Sequence, residues 1–576
     1  MSDAVLPSPP AAAPAGPSLR LGRLRHLWLG APGGYSPQAV AAWMAAWFTL
    51  AGNLALWRAL RELHTGLHGL LAAPCLVGGL TLAALSLLAW SRGARPLWMG
   101  LAVLAAFAQY AMLAYGIVLD PDMLRSALQT DAREMRDLAG WPVLPGVLPA
   151  ALPALWVLAR VRVRQRRWAG NAWRNLALCA AALAMAGLAV FIGYRDLAPL
   201  MRENGKLRYM ANPVAAAYSA VRVVRHGGGR MDGGAPLPLG PATLGASYAG
   251  QKRPPLFLLV VGETSRADHY ALNGYGRDTT PELAQRGVLS WRDVHFCGTH
   301  TLASVPCMFS GLGKAAFESR DREHENLLDL LQSAGLAVLW IDNQAGCKGV
   351  CDRVPNVSTR DTARAVPGAR ALCDGECLDE ILLAGLDERI AALPAERRAR
   401  GVVVVLHEMG SHGPSYTRRS PASRKRFLPE CTTVALAQCD PAQLMNAYDN
   451  SIAYNDHVLA GAIDWLRGRE HDYDGALLYL SDHGESLGEY GLYLHGIPYR
   501  LAPQVQKHVP MIAWLSRGFA ARTGLAVRCL RGTLDEPLTH DNLFHSVLGL
   551  LDVQAGAYRG ELDATAGCRA MGARAA

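Results

Sequence analysis

The sequence predicts two folds in one chain: an α-helical transmembrane domain of five helices, then an α/β domain that lives in water. Three observations carry this reading. Long runs of Ala, Leu, Val and Trp crowd roughly the first two hundred residues, whereas charges, turns and most histidines come later. In that later part, short β-branched or apolar runs alternate with stretches of helical period. At 576 residues the chain also exceeds one ordinary domain.

The apolar runs come first. Five are about long enough to cross a bilayer, which takes about 20 mostly apolar residues. They are Val40–Leu56, Leu70–Ala89, Leu97–Val118, Val143–Leu158 and Leu176–Ile192. The fourth is short and carries Pro145, Pro149 and Pro153, so its ends are the least defined. Basic residues flank these runs: Arg20, Arg23 and Arg25 before the first, and Arg160, Arg162, Arg164, Arg166 and Arg167 after the fourth. With five crossings the basic segments share one side, and the acidic stretch 120–140 falls on the other. The positive-inside rule then puts the N-terminus in the cytoplasm and everything after about residue 195 outside. The net charge of +9 is therefore read as a topology signal. Nucleic-acid binding is disfavoured because no recognition module accompanies the charge.

Cysteines give an independent indication of compartment. Of 12, Cys75 and Cys179 lie in membrane runs, and the other ten follow them. Close pairs recur: Cys297/Cys307, Cys347/Cys351, Cys373/Cys377 and Cys431/Cys439. Such pairs fit disulfides in an oxidising periplasm better than a cytosolic zinc site, because no C-x-x-C pair occurs. Cys529 and Cys568 are left to pair together.

After a Gly/Pro-rich linker, His226–Gly250, the predicted strands are Leu256–Val261, Ala337–Ile341, Val402–Leu406, Ala476–Leu480 and Val509–Leu515. Helical stretches separate them, among them Leu327–Ala334, Leu378–Ala392 and Leu444–Leu466. The alternation implies a sheet with parallel pairing and helices on both faces, with ligand chemistry at the carboxyl ends of the strands. Those ends repeat one kind of residue. The first leads into Gly262-Glu263-Thr264, the third into His407-Glu408 and then His412, and the fourth into Ser481-Asp482-His483-Gly484-Glu485. Carboxylates beside an imidazole form a mixed N/O set that suits zinc. A single such turn more often holds a structural histidine; three at separate strand ends point to a site.

Five segments, in order, resemble the lipid A phosphoethanolamine transferases of the alkaline-phosphatase/sulfatase-like superfamily, which include the mobile colistin-resistance enzymes. They are Gly262–Pro281 (GETSRADHYALNGYGRDTTP), Cys297–Gly311 (CGTHTLASVPCMFSG), Gly346–Asn356 (GCKGVCDRVPN), His407–Tyr416 (HEMGSHGPSY) and Ser481–Gly496 (SDHGESLGE…YLHG). The resemblance implies five transmembrane helices plus a periplasmic domain of alkaline-phosphatase/sulfatase-like fold. It divides the chain into a cytoplasmic tail (1–35), the membrane domain (36–195), a bridging helix and linker (196–254) and the catalytic domain (255–576).

By position in the motifs, the resemblance implies that Glu263, Asp482 and His483 are zinc ligands, and that Thr301 is both nucleophile and fourth ligand. Residue pattern alone leaves Thr264, Thr299 and Ser304 as rivals of Thr301. Metal coordination lowers the pKa of a threonine hydroxyl, and a disulfide bracket would hold its oxygen in place. One zinc is expected to bind tightly, with room for a second. His412 and His495 match secondary histidines that contact the phosphoryl group or that second ion. Glu485 joins them or orients His483 from behind. Lys348 and Gln344 match positions associated with the phosphoethanolamine group, with a solvated loop lysine as the plainer reading of Lys348. Met123–Leu138 resembles the family's amphipathic stretch near the membrane surface, where Thr130 and Glu134 match polar positions that help bind substrate, Glu134 being suited to an ethanolamine ammonium. Ser126 stands there where relatives often carry Asn, and a plain interfacial helix is the alternative for this stretch.

The implied reaction passes phosphoethanolamine from phosphatidylethanolamine through Thr301 to a lipid A phosphate, in a monomeric enzyme of the inner membrane. Adding an amine to an anionic surface would weaken polymyxin binding. Rivals are the same transfer to a lipopolysaccharide core sugar or periplasmic glucan, and a sulfatase-like hydrolase. The C/S-x-P-x-R motif of sulfatases is absent around Thr301. A transporter or sensor with a dead domain is disfavoured, because the apolar runs carry few charges and all four ligand positions are filled.

Overall fold

A computed structural model describes residues 34–569, apart from 64–65, 90–93, 121–122, 125–142, 165–167, 204, 227–234, 375, 435 and 498. It divides into two compact units, residues 1–109 with 146–217, and residues 110–145 with 218–576.

Among the described residues, four helices that lie wholly or mostly in the first unit are long and apolar enough to cross a membrane: Leu67–Leu88, Ala94–Tyr115, Val143–Arg160 and the apolar part, Ala169–Tyr194, of the helix Trp168–Glu203. The first predicted run is bent. Helices Pro37–Ala51 and Leu54–Glu62 meet at 45° and make a fifth span only if taken together. Gly52 and Asn53 interrupt the apolar pattern. Asn53 Nδ2 donates to Phe48 O and to Asn212 O, both at 2.8 Å, and Asn212 N–H donates back to Asn53 Oδ1. These bonds satisfy polar groups that a break inside an apolar environment would otherwise strand. Pro149 and Pro153 sit inside Val143–Arg160 without ending it. Cys75 and Cys179 are the free cysteines of the described residues.

The second unit is built on a seven-stranded sheet: β1 (Pro255–Gly262), β2 (Leu289–Trp291), β3 (Ala337–Asp342), β4 (Asn356–Ser358), β5 (Val402–His407), β6 (Asp474–Ser481) and β7 (Met511–Leu515). Their spatial order is β2-β7-β6-β1-β5-β3-β4. The run from β6 to β4 is parallel throughout. β7 is antiparallel to both β6 and β2, so the sheet is parallel, as expected, over five strands and mixed at one edge. The connection from β6 to β7 holds short strands and 3-10 turns but no α-helix among its described residues, so it lacks the usual parallel crossover.

The pleat sorts β1 onto two cores. Phe257, Leu259 and Val261 pack with the helices Thr301–Met308, Leu327–Ser333 and Asp541–Leu550. Leu256, Leu258 and Val260 pack with the 27-residue helix Pro441–Arg467. Burial on both faces explains why the strand reads as an unbroken apolar run. The predicted helix Leu378–Ala392 is broken into a 3-10 turn, Asp379–Leu383, and a short helix, Leu386–Ala391, because Gly385 adopts a left-handed φ of 66° between them. Within the linker, Ala242–Leu244 pairs antiparallel with Val553–Ala555.

Disulfides join Cys297–Cys307, Cys347–Cys351, Cys373–Cys377, Cys431–Cys439 and Cys529–Cys568.

Candidate active site

The parallel register sets the carboxyl ends of the central strands side by side. Ser481 pairs with Gly262 across β6 and β1, and His407 pairs with Val261 and Asp342 across β5 and its neighbours. The next residues, Glu263 and Asp482-His483, therefore emerge together. Thr264 turns the chain there at φ 59°, a conformation strained for a β-branched residue. Gly410, at φ 53°, lets the loop after β5 close on this turn, and Ser411 N–H donates to Glu263 O at 3.0 Å.

Glu263, Asp482 and His483 are fully buried, and each offers a ligand atom within 4.8 Å of the others. Thr301, 7% exposed, is the first residue of the helix Thr301–Met308, whose N-cap is the side chain of His300. Its Oγ1 donates to Glu263, 3.1 Å from Oε2 and 3.3 Å from Oε1. Of its rivals, Thr264 also donates to Glu263 Oε1, at 2.7 Å, whereas Ser304 points its hydroxyl at Asp482 O.

The donor set fits a metal ion. His483 Nδ1–H donates to Gly484 O at 2.9 Å, which fixes the tautomer and turns Nε2 toward the carboxylates. Nε2 lies 3.3 Å from Glu263 Oε1 and 3.4 Å from Asp482 Oδ2. Both Nε2 and Asp482 Oδ2 are buried without a hydrogen bond among the described residues. Buried polar atoms converging in this way are costly unless a cation joins them. Charge points the same way. Burial and the neighbouring Glu263 push Asp482 up to about 7. Burial opposes a charge on His483, but the two carboxylates outweigh it and lift the imidazole to about 10. Burial also opposes the charge on Glu263, yet the charge of the adjacent His483 imidazole holds it well below the usual carboxylate range. Two carboxylates and an imidazole this close share protons, and a metal ion held by them would have to displace those protons. The other cysteine-containing clusters are disulfide-bonded and offer no thiolate.

Around this centre, the His495 ring lies 4.2 Å from that of His483 and 5.3 Å from that of His412. Glu485 Oε1 is 3.4 Å from His495 Nδ1, and Oε2 accepts from Tyr416 OH at 2.9 Å. Burial pushes Glu485 up to about 8. Gln344 Nε2 donates to Glu263 Oε2 at 3.2 Å, so it touches the carboxylate of the cluster. Lys348 turns its Nζ onto Ala345 O, 2.9 Å away and two residues before its disulfide loop begins at Cys347. His407 pairs with Asp342, which also accepts from Trp340 Nε1. Ser126, Thr130 and Glu134 lie outside the described residues.

Sequence reasoning missed the support beneath these groups. Tyr448 OH donates to Thr264 O and accepts from Arg266 N–H, which braces the strained turn. Tyr416 and Tyr448 stack edge to face. Nothing in their spacing singles them out from other buried tyrosines.

Comparison with known proteins extends this picture to both units. Residues 78–227 match the family described as phosphoethanolamine transferase EptA/EptB, and residues 255–553 match the sulfatase family. The phosphoethanolamine transferase EptA of Salmonella typhimurium is 39% identical over 482 residues, covering 81% of this chain and 84% of that one. The phosphatidylethanolamine transferase Mcr-1 of Escherichia coli is 35% identical over 535 residues, covering 90% and 96%. The integral membrane lipooligosaccharide phosphoethanolamine transferase A of Neisseria meningitidis superposes with a TM-score of 0.86 at 34% identity, over 92% of this chain and 98% of that one. Matched in both parts and along nearly its whole length, the chain belongs to the phosphoethanolamine transferase family.

Proposed function

We propose that the protein transfers phosphoethanolamine from phosphatidylethanolamine to a phosphate of lipid A, with Thr301 as nucleophile and zinc as cofactor. The observation that carries this reading is the Thr301 hydroxyl, donating to Glu263 at the edge of a buried acid–imidazole cluster. Glu263, Asp482, His483 and Thr301 would hold the zinc. Zinc bound there supplies Lewis acidity, which lowers the pKa of the hydroxyl and balances charge on the phosphoryl oxygens.

Each residue has its own part in the transfer. Thr301 Oγ1 forms a bond to phosphorus as the bond to the glycerol oxygen breaks, releasing diacylglycerol and leaving phosphoethanolaminyl-threonine. Glu263 is the first acceptor of the hydroxyl hydrogen bond, and Gln344 Nε2 keeps that carboxylate turned toward Thr301. His495, steadied by Glu485, and His412 beside it are suited to bind the phosphoryl oxygens and to protonate the leaving glycerol oxygen. In the second half the acceptor phosphate attacks the same phosphorus, and Thr301 Oγ1 leaves. Lys348 would reach the phosphoethanolamine group only by releasing Ala345 O. Thr301 at a helix N-terminus also favours an anion.

Placement in the cell follows from charge and chemistry. Residues 1–35 would be cytoplasmic, 36–195 would cross the inner membrane, 196–254 would bridge, and 255–576 would work in the periplasm, where five disulfides persist. Donor and acceptor are both lipids, which accounts for the membrane anchor. Ser126, Thr130 and Glu134 would then help bind the donor lipid. The added amine would make the surface less negative and weaken polymyxin binding.

The test is a mass spectrum of lipid A from a Gram-negative host expressing the chain, beside a Thr301→Ala control. A phosphoethanolamine adduct with the first and none with the second is expected. No adduct from either, with both proteins folded in the membrane, would rule out lipid A as the acceptor.

A further inference from the structure

His540 sits between the short strand Leu538–Thr539 and the helix Asp541–Leu550, outside every motif that marks the site. It is 1% exposed, and both of its ring nitrogens are engaged by parts of the site. Nε2 lies 2.9 Å from Ser481 O, the residue before Asp482. Nδ1 lies 3.2 Å from the N–H of Cys297, which opens the Thr301 loop, and 3.2 Å from Ser304 Oγ.

The partners fix the protonation state. A carbonyl oxygen only accepts, so Nε2 carries the hydrogen, and a backbone N–H only donates, so Nδ1 carries none. The imidazole is therefore neutral and spans two elements, β6 at Ser481 and the loop at Cys297. A second link runs parallel to it. Ser304, fully buried and one turn after Thr301 on the same helix, donates Oγ–H to Asp482 O at 2.6 Å. One link ties the start of the Thr301 loop to the end of β6, and the other ties the Thr301 helix to Asp482 itself. The backbone of His540 adds a third tie, its N–H donating to His295 O at 2.9 Å.

We propose that His540 and Ser304 are positioning residues for the transfer reaction: together they clasp the Thr301 loop to the Asp482–His483 turn and set where Thr301 Oγ1 stands. This rests on Thr301 being the nucleophile. The clasp acts on the covalent step and leaves the donor lipid's own contacts alone. A displacement of about 1 Å at a nucleophile lowers rate by about a hundredfold, so the effect falls on kcat, with KM little changed.

The experiment uses the full chain in detergent with phosphatidylethanolamine and no acceptor, and follows the rate at which Thr301 becomes labelled. Zinc content and thermal midpoint are measured alongside. Ser304→Ala removes one hydroxyl from a helix and keeps the fold. His540→Asn retains an acceptor near the Nδ1 position, whereas His540→Gln retains a donor near Nε2. Labelling is expected to slow by about tenfold to a hundredfold in Ser304→Ala and in His540→Gln, with zinc content held and KM within about twofold. His540→Asn, which cuts the Ser481 end of the same bridge, should slow labelling likewise. Labelling as fast in Ser304→Ala and His540→Gln as in the parent would overturn the clasp, as would a loss that only tracks the thermal midpoint. No labelled Thr301 in the parent itself would instead overturn the nucleophile assignment, and the clasp with it.

Discussion

Gly410 is the point at which a single methyl group should reach the active site through the backbone alone. Its φ of 53° is left-handed, where an alanine costs about 1–2 kcal/mol. A Cβ there would stand 2.5 Å from Glu263 O, 3.0 Å from Glu263 N and 3.1 Å from Glu263 Cβ, whereas ordinary contact begins at 3.4 Å. All three atoms belong to Glu263, and two of them are backbone, so no flexible side chain can swing aside. Overpacking of this kind adds about 1–3 kcal/mol. Gly410→Ala should therefore lose about 2–5 kcal/mol and push Glu263 out of line with Asp482 and His483. Gly287 is the control. It has a φ of 66° and open space within 4 Å of where a Cβ would stand, so Gly287→Ala carries the conformational cost alone, about 1–2 kcal/mol. Both full-length variants would be purified in detergent and compared for thermal midpoint, zinc by elemental analysis, and transfer. Gly410→Ala should lose zinc and activity while Gly287→Ala keeps both. Full zinc and parental activity in Gly410→Ala would refute the claim that this approach sets the Glu263 carboxylate.

Three further outcomes rest on the same geometry. Tyr416→Phe strips Glu485 Oε2 of its buried donor, so stability should fall by about 1–3 kcal/mol and transfer should weaken; unchanged unfolding would mean that Glu485 finds another partner. Replacing both Cys297 and Cys307 by Ser frees a loop of sequence separation 10, at a cost of about 2–4 kcal/mol, and transfer should drop further than the thermal midpoint alone accounts for. Burial first, and the charges of His483 and Lys314 with it, push His540 down to about 3, although its bond to Ser481 O works in the other direction. The unfolded chain takes up that proton first, so the stability is full above about pH 6.5 and is lost as pH falls toward 3, by at most about 1.4 kcal/mol per unit. Thermal midpoints measured down this range should fall more steeply in the parent than in His540→Asn; equal slopes would show that His540 does not titrate with unfolding.

How far the sequence foretold this structure depends on the range over which each feature is encoded. The run Leu256–Val261 reads as a buried strand because both faces of β1 meet a core, and β5 and β6 read the same way. The acids and histidines at the strand ends were legible because a parallel register brings such ends together. The antiparallel direction of β7 was not, since a short apolar run carries no direction. The bend at Gly52–Asn53 depends on Asn212, 159 residues away, and the setting of His540 depends on Cys297, 243 residues away. The Thr301 hydroxyl could be singled out from Thr264, Thr299 and Ser304 only by motif position. In the structure Thr264 and Thr301 both reach Glu263, and Ser304 bonds to the Asp482 backbone instead.

Everything proposed for the reaction turns on Thr301 carrying the phosphoethanolamine group between two lipids. Peptide mass spectrometry of the full-length protein, after incubation with phosphatidylethanolamine in the absence of acceptor, looks for that group where it should be. A phosphoethanolamine adduct is expected on the peptide containing Thr301, lost when lipid A is added and absent from Thr301→Ala. Diacylglycerol released with no adduct on that peptide, or the adduct on Thr264 in its place, would contradict it.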